Sequence, residues 1–261
     1  MPILNENLPK IFGTYHEPFL GGGALLFHIL TKQNKQKCNL SDLNSDLVLC
    51  YTVIQNRVDK LIHSLKIHEK NYRKDSKSYY YSVRESNPKN EIEKTSRLLF
   101  LNRTCFNGLY RVNRKGKFNV PLGKYTNPNI VNEENLRSVS AVLQSSRVSI
   151  QCRDFEAVLS DTKKGDLIYF DPPYQPVSQT ANFTSYTDKD FTYDDLSRLA
   201  KLCMDLDAKG CKIILSNSDS AEVIDMFSSK PWKINKIHAS RSINSDSKKR
   251  TGHFELLIKN Y

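Results

Sequence analysis

Short runs rich in apolar, β-branched and aromatic residues alternate along much of this chain with longer stretches whose apolar positions fall three and four apart. The first pattern suits buried strands and the second amphipathic helices. Residues 15–19 read as a short strand. Gly21-Gly22-Gly23 follows, and then an apolar helix start, Ala24-Leu25-Leu26-Phe27. Residues 38–42 read as a second strand ending in an acid. Asn44 is placed to cap a helix carrying Leu47, Val48, Cys50, Tyr51 and Ile54. This β-α-β-α order opens a parallel sheet. The alternation then stops. Residues 57–100 read as helical and basic, and 101–130 are rich in Asn, Gly, Tyr and Arg with little periodicity. It resumes with a strand at 148–152, a short helix at 155–159 and a strand at 166–170. A helix at 193–209, a strand at 212–216 and a helix at 220–227 come next. Residues 232–238 and 254–259 read as a closing strand pair, joined by a polar, basic loop at 239–252.

Length and charge refine this picture. The 261 residues suffice for one α/β domain with an insertion. The expected division is a catalytic body of 1–56 and 145–261 and a basic module at 57–144. The chain carries a formal charge of +11, and residues 57–130 hold 17 Lys and Arg against 6 Asp and Glu, which accounts for all of that excess. A basic segment joined to a neutral body suggests a polyanion-binding part on a catalytic part. The 6 cysteines are scattered with no Cys-x-x-Cys pair, so reduced cytosolic thiols are expected and a metal is not. No apolar run is long enough for a membrane span, and the N-terminus lacks the layout of a signal peptide, so the expected location is cytoplasmic.

The chemistry gathers at the ends of the strands, where open α/β sheets bind ligands. Asp171-Pro172-Pro173-Tyr174 directly follows the apolar run Leu167-Ile168-Tyr169-Phe170. That order sets a carboxylate, a carbonyl with no competing ladder partner and a flat ring at one sheet edge. The glycines at 21–23 sit at the first strand-to-helix turn, where a ligand approaches backbone closely and a helix start offers free amides. Asp42 stands where a nucleoside-binding fold grips a ribose hydroxyl, and helix capping with Ser41 and Asn44 is the competing reading. Asp154 either meets the adenine end of a nucleoside or caps the helix at Phe155, and the sequence leaves both open. The phosphate loop of ATPases is absent.

Together these segments resemble the Dam-type DNA adenine methyltransferases. The likeness runs from about Phe12 to Tyr261. It is carried by Glu17-Pro18-Phe19-Leu20-Gly21-Gly22-Gly23, Ser41-Asp42-Leu43-Asn44 and Leu101-Asn102-Arg103-Thr104-Cys105-Phe106-Asn107-Gly108-Leu109-Tyr110-Arg111. It continues in Phe118-Asn119-Val120-Pro121-Leu122-Gly123-Lys124-Tyr125, the Asp-Pro-Pro-Tyr at 171–174, Phe183-Thr184-Ser185-Tyr186 and the stretch Phe254 to Tyr261. The resemblance implies a Rossmann-like, mostly parallel sheet with one antiparallel strand near the C-terminus and an inserted, mainly helical DNA-recognition domain. It implies S-adenosyl-L-methionine as cofactor, no metal, and double-stranded DNA as partner. Methyl transfer to the exocyclic amine of adenine in GATC, after flipping of the base, is the implied reaction. On this pattern Asp171, Pro172, Pro173 and Tyr174 are catalytic. Glu17, Phe19, Gly21, Gly23, Asp42, Asp154, Phe155 and Asp171 hold the cofactor.

In the insertion, the same likeness gives Arg111 a guanine contact, the commonest base contact of arginine. Leu109, Pro121 and Tyr125 match positions that touch the site or its flanks. Phe106 and Asn107 match those that fill the gap left by the flipped base. Lys124 stands where many relatives carry Arg, which suits a phosphate clamp. Lys115, Lys117 and Lys248-Lys249-Arg250 are expected at phosphates. Relatives usually begin with a Lys-Trp-x-Gly-Gly-Lys type segment that covers the cofactor, and this chain starts at Met1 without it. The expectation is a cofactor pocket open on one side, with weakened affinity. A catalytically weak GATC-binding protein is therefore the alternative function, and methylation of RNA or another amine is a third.

Overall fold

The computed structural model describes residues 2–33, 35–113, 116–145, 147–173, 191–239 and 253–261. These fall into two compact units. One contains the described residues of 1–43 and 147–261, and the other those of 44–146.

The first unit is built on a seven-stranded sheet. Its strands are β1 (Tyr15–Glu17), β2 (Lys37–Asp42), β3 (Arg147–Cys152), β4 (Leu167–Phe170), β5 (Lys212–Ser218), β6 (Lys233–Ala239) and β7 (His253–Lys259). Their spatial order is β3-β2-β1-β4-β5-β7-β6. All neighbours run parallel except β7, which is antiparallel to both β5 and β6. A Rossmann-like sheet with one antiparallel strand near the C-terminus is therefore what the chain forms.

The order in which strands are laid down reverses between β1 and β4. From β1 the chain moves outward through β2 and β3, and then returns to place β4 on the other side of β1. Crevices at such reversals are where open α/β sheets bind ligands. The two central strands are pinned at their amino ends. Asp166 is buried and accepts the Thr14 amide at 2.7 Å and the Lys163 amide at 2.8 Å, and it faces His16 Nε2 at 3.2 Å.

Helices α1 (Pro2–Asn7), α2 (Ala24–Lys32), α7 (Val158–Asp161), α8 (Tyr193–Ala208) and α9 (Ala221–Met226) belong to this unit. The apolar stripe of α8, Leu196, Leu199, Ala200, Cys203 and Leu206, packs with Ile168 and Phe170 of β4 and Ile213 and Leu215 of β5 in one core cluster. Thr192 and Asp195 close a reciprocal capping box at the start of α8, worth about 1 kcal/mol. The helix expected at 155–159 is instead a 3-10 turn, Phe155–Ala157, followed by the single turn of α7. The Glu156 amide is taken by the Asp154 side chain and the Ala157 amide by the Asp154 carbonyl, the tighter i to i+3 winding of a 3-10 turn.

The second unit is helical: α3 (Ser45–Lys74), α4 (Ser76–Glu85), α5 (Glu91–Thr104) and α6 (Glu133–Ser145). Asn44 caps α3 by accepting the Asp46 and Leu47 amides. Arg57 leaves the helical conformation inside α3 (φ −141°, ψ 35°). Helix α5 reaches Thr104, past the point where sequence periodicity fades. Helices α1 and α6 have no counterpart in the sequence reading.

Candidate functional site

The turn after β1 is shaped by two glycines in the left-handed region, Gly21 (φ 48°) and Gly23 (φ 65°). It is bound to the end of β2 twice. The Leu20 amide donates to the Ser41 carbonyl at 3.0 Å, and the Gly21 amide donates to Asp42 Oδ2 at 3.0 Å. Asp42 thus supports the glycine turn, and the cap of α3 is Asn44. Gly22 has an ordinary φ, and a Cβ added there meets nothing within 4 Å. The fold itself does not require glycine at that position.

Gly23 caps α2 without a side chain, and Glu17 serves in its place by accepting the Leu26 amide. Glu17 also accepts the Tyr15 hydroxyl at 2.9 Å and is only 2% exposed. Burial pushes its carboxyl up to about 8, and the charges of Asp171 and Asp42 add to that shift. Glu17 is therefore largely a neutral acid at pH 7.

Asp171 follows β4 directly. Because β1 and β4 are paired in register (Tyr15 with Leu167, His16 with Ile168), Asp171 and the glycine turn issue from the same edge of adjacent strands. The Asp171 side chain reaches solvent, yet protein crowds it enough that lost hydration pushes its carboxyl up to about 6. The Glu255 carboxylate of β7 adds to the rise, and a hydrogen bond from Tyr169 opposes it. The buried Tyr169 hydroxyl lies 3.1 Å from Ser216 Oγ on β5. Pro172 is buried and Pro173 exposed, and the Pro172 carbonyl accepts no hydrogen bond among the described residues. Tyr174, residues 183–186 and 248–250, and Lys115 lie outside the described residues.

Phe19, Phe155 and Phe191 form an aromatic wall at this edge, with Phe170 behind it. The Phe19 ring stacks on Phe155 at 5.2 Å and meets Phe191 edge-on at 5.9 Å. Asp154 caps the turn of Phe155, accepting the Glu156 amide at 3.0 Å, and also receives Arg198 at 2.9 Å. Sequence reasoning missed Tyr15, Tyr169, Glu255, Phe191 and Arg198. Only Tyr15 and Tyr169 carried a signal, since each stands two residues before an acid, Glu17 and Asp171, and shares its face of the strand.

In the helical unit, the described residues of 105–125 pair as an irregular hairpin, Cys105 with Leu122 and Val112 with Phe118. The Phe106 amide donates to Pro121 O at 2.9 Å, and Gly123 N donates to Thr104 O at 2.8 Å. These bonds bring Phe106 and Asn107 alongside Pro121, Lys124 and Tyr125, all of which are exposed. Asn107 adopts a left-handed φ of 54°, which asparagine tolerates. A Cβ on Gly123 would lie 2.7 Å from the Cys105 carbonyl and inside the Tyr125 ring contact, so only glycine fits. The hairpin is anchored by the Tyr80 hydroxyl on Val120 O at 2.9 Å. Arg111, half-buried beside Leu109, donates from Nε to Asn119 Oδ1 at 2.8 Å. Its Nη2 reaches the Asn119 carbonyl at 3.4 Å, and the Asn119 amide returns a bond to Arg111 O at 3.0 Å. Asn119 thus pins the guanidinium with neutral groups, and among the described residues no carboxylate bonds to it. Among the described residues no helix is long and apolar enough to cross a membrane, and no group of three or more His, Cys, Asp or Glu could hold a metal ion.

Known proteins resemble this chain over most of its length. The model of the D12 class of N6 adenine-specific DNA methyltransferases matches residues 1–243. The type II methyltransferase M.MjaIII of Methanocaldococcus jannaschii is 44% identical over 99% of this chain and 93% of its own length. The type II methyltransferase M1.LlaDCHI of Lactococcus lactis subsp. cremoris is 38% identical over 100% of this chain and 91% of its own length. A DNA adenine methylase of Haemophilus influenzae is 31% identical over 97% of this chain and 87% of its own length.

Proposed function

This chain belongs to the D12 class of N6 adenine-specific DNA methyltransferases, and from that premise we propose that it methylates adenine within GATC in double-stranded DNA, using S-adenosylmethionine and a flipped-out base. The observation that carries the reading is the register of β1 and β4. It sets the Gly21–Gly23 turn and Asp171 side by side at the strand reversal.

The residues at this edge fit the cofactor. Gly22 leaves open space where a side chain would stand. Asp42 is a carboxylate at the ribose position of a nucleoside fold, and Phe19, Phe155 and Phe191 offer rings for a purine. When bound, S-adenosylmethionine supplies a sulfonium methyl as electrophile. The carboxylates nearby, Asp42 and Asp171, suit a cationic ligand.

The amine of adenine is a poor nucleophile because its lone pair is delocalised into the ring. Asp171 and the Pro172 carbonyl accept its two N–H bonds. That pins the nitrogen and favours a lone pair directed away from the ring plane. Tyr174 stacks on the base in this reading. Extrusion costs a few kcal/mol of lost stacking and pairing, which these contacts offset.

Recognition falls to the helical unit, where the 105–125 hairpin offers a pinned arginine and an exposed aromatic. Arg111 contacts guanine, Leu109, Pro121 and Tyr125 touch the site or its flanks, and Phe106 and Asn107 occupy the space left by the base. Lys124 and Lys117 contact phosphate. The test is plasmid protection. DNA incubated with the chain and S-adenosylmethionine should resist a nuclease that cuts only unmethylated GATC, and should keep its sensitivity at unrelated sites. Full cleavage at GATC would refute the sequence assignment.

A further inference from the structure

A charged hub beside the aromatic wall has no part in the reaction proposed above. Arg198, in the second turn of α8, donates from Nη2 to Asp154 Oδ1 at 2.9 Å and to Glu156 Oε2 at 2.6 Å. Its Nη1 donates to Asp195 Oδ1 at 2.8 Å. The guanidinium carbon lies 4.9 Å from the centre of the Phe155 ring. Three carboxylates from two elements converge on one planar cation. Two of them belong to the turn after β3, and the third closes the capping box of α8.

The effect on Asp154 is specific. Both of its hydrogen bonds, from the Glu156 amide and from Arg198, fall on Oδ1. Among the described residues Oδ2 has no partner, and the side chain is 42% exposed. An unused carboxylate oxygen next to stacked rings, at the carboxyl edge of a sheet, is chemistry for a purine with an exocyclic amine. The rings take its face, and the oxygen takes an N–H.

We propose that Arg198 is a positioning residue for the purine end of the cofactor: by holding Asp154 through Oδ1 it leaves Oδ2 to accept the exocyclic amine of adenine. The proposal rests on the reading that S-adenosylmethionine binds at this edge. Without Arg198, three carboxylates would repel one another, and Asp154 would turn toward water. Lysine is no substitute, because the two arms of the guanidinium are engaged in different directions at once.

The hub makes an unusual variant informative. In Asp154→Asn the two donors, Arg198 and the Glu156 amide, require an acceptor at the Oδ1 position. The amide oxygen must stand there, and the NH2 group is forced into the place of Oδ2. A donor then faces the purine where an acceptor stood. That variant should prefer hypoxanthine, whose O6 accepts, over adenine.

The experiment is calorimetry of the full chain with S-adenosylhomocysteine and with S-inosylhomocysteine. The unsubstituted chain should bind the adenosyl compound about tenfold more tightly or better. Asp154→Asn should reverse that order. Arg198→Met should bring the two affinities within about threefold of each other, and adding it to Asp154→Asn should abolish the reversal, because the amide is then free to turn over. If Arg198→Met unfolds, Arg198→Lys takes its place and should narrow the two affinities in the same way, whereas a lysine variant that discriminates as before overturns the inference. An Asp154→Asn chain that still favours the adenosyl compound overturns the inference, as does an Arg198→Met chain that melts lower but discriminates as before. If the unsubstituted chain binds neither compound, the cofactor reading falls as well, so the two failures are told apart.

Discussion

Asp42 accepts the Gly21 amide at 3.0 Å, and through that bond the end of β2 and the turn after β1 move as one piece. The acid usually credited with gripping a ribose thus also fixes the backbone on which the rest of the ligand would lie. Asp42→Ala removes both supports. Its expected effect is a loss of about tenfold or more in S-adenosylmethionine affinity by calorimetry, with a stability loss of about 1 kcal/mol from the missing bond. A chain that melts lower but binds unchanged would confine Asp42 to scaffolding.

Gly22 offers the converse case. Its φ is ordinary and a Cβ finds no neighbour within 4 Å, so Gly22→Ala should melt within about 1 °C of the parent. The methyl group would project into the space assigned to the ligand. We expect normal folding and DNA binding, with cofactor affinity reduced at least about tenfold. Unchanged cofactor affinity would mean that nothing approaches the backbone at that glycine.

Asp171 is the stronger acceptor of an N–H when ionised, and its carboxyl is pushed up to about 6. Single-turnover methylation should fall about tenfold per pH unit below that value and level off above about pH 7. Tyr169→Phe deletes the hydrogen bond that favours the ionised form, which should move the acid limb to higher pH. Asp171→Asn should lose methylation by about a thousandfold while keeping its melting temperature. A rate independent of pH between 5 and 8 would rule Asp171 out.

Glu17 governs stability in the opposite sense from most acids. Its folded-state pKa, about 8, lies above the value of 4.5 expected when unfolded. The folded chain therefore holds a proton that the unfolded chain releases, and stability falls as pH rises from about 4.5 through 8. The loss is at most about 5 kcal/mol. Glu17→Gln keeps an acceptor for Tyr15 and Leu26 without the ionisation. Its melting temperature should exceed that of the parent at pH 9, with a flatter pH profile between 5 and 9. Parallel profiles for the two chains would refute a neutral Glu17.

Arg111 should carry base discrimination, and the lysines overall affinity. Arg111→Ala is expected to cost about 1 to 3 kcal/mol on GATC DNA and little on a site with that guanine replaced. Asn119→Ala, which removes the bond to Nε and keeps the one to the backbone carbonyl, should show the same selective loss in smaller measure. Affinity should drop steeply as salt rises, and Lys124→Ala should lower that slope without altering preference. Equal losses on all sequences would make Arg111 a phosphate contact.

Much of the architecture was legible because its signals are local. The buried run Leu167-Ile168-Tyr169-Phe170, the glycine turn and the Asn44 cap each announce themselves within a few residues, and each stands where expected. Helix α6 escaped notice because its inner face includes a polar residue. Ser140 is buried beside Leu136 and Leu143 and bonds to the Gln55 carbonyl, which breaks the apolar period. Helix α1, with six residues, is too short for any period to show.

The polar surroundings of the site were hidden for a different reason. Tyr15 is two residues from Glu17 and Tyr169 two from Asp171, but Glu255 and Ser216 reach Asp171 and Tyr169 only through the pairing of distant strands. Arg198 meets Asp154 across 44 residues of chain. Such meetings depend on register, and a single sequence does not state register.

One rim of the sheet has a firm foundation. Asp166 takes the Thr14 and Lys163 amides and sits against His16, so the two middle strands start from a common footing. That footing releases the opposite rim from structural duty. Acids held above their natural ionisation range, a carbonyl without a donor among the described residues and glycines facing empty space are all liabilities in an ordinary fold. They can coexist at the far end because the near end keeps the strands from drifting, and tolerance of local discomfort is what a reactive surface is made from.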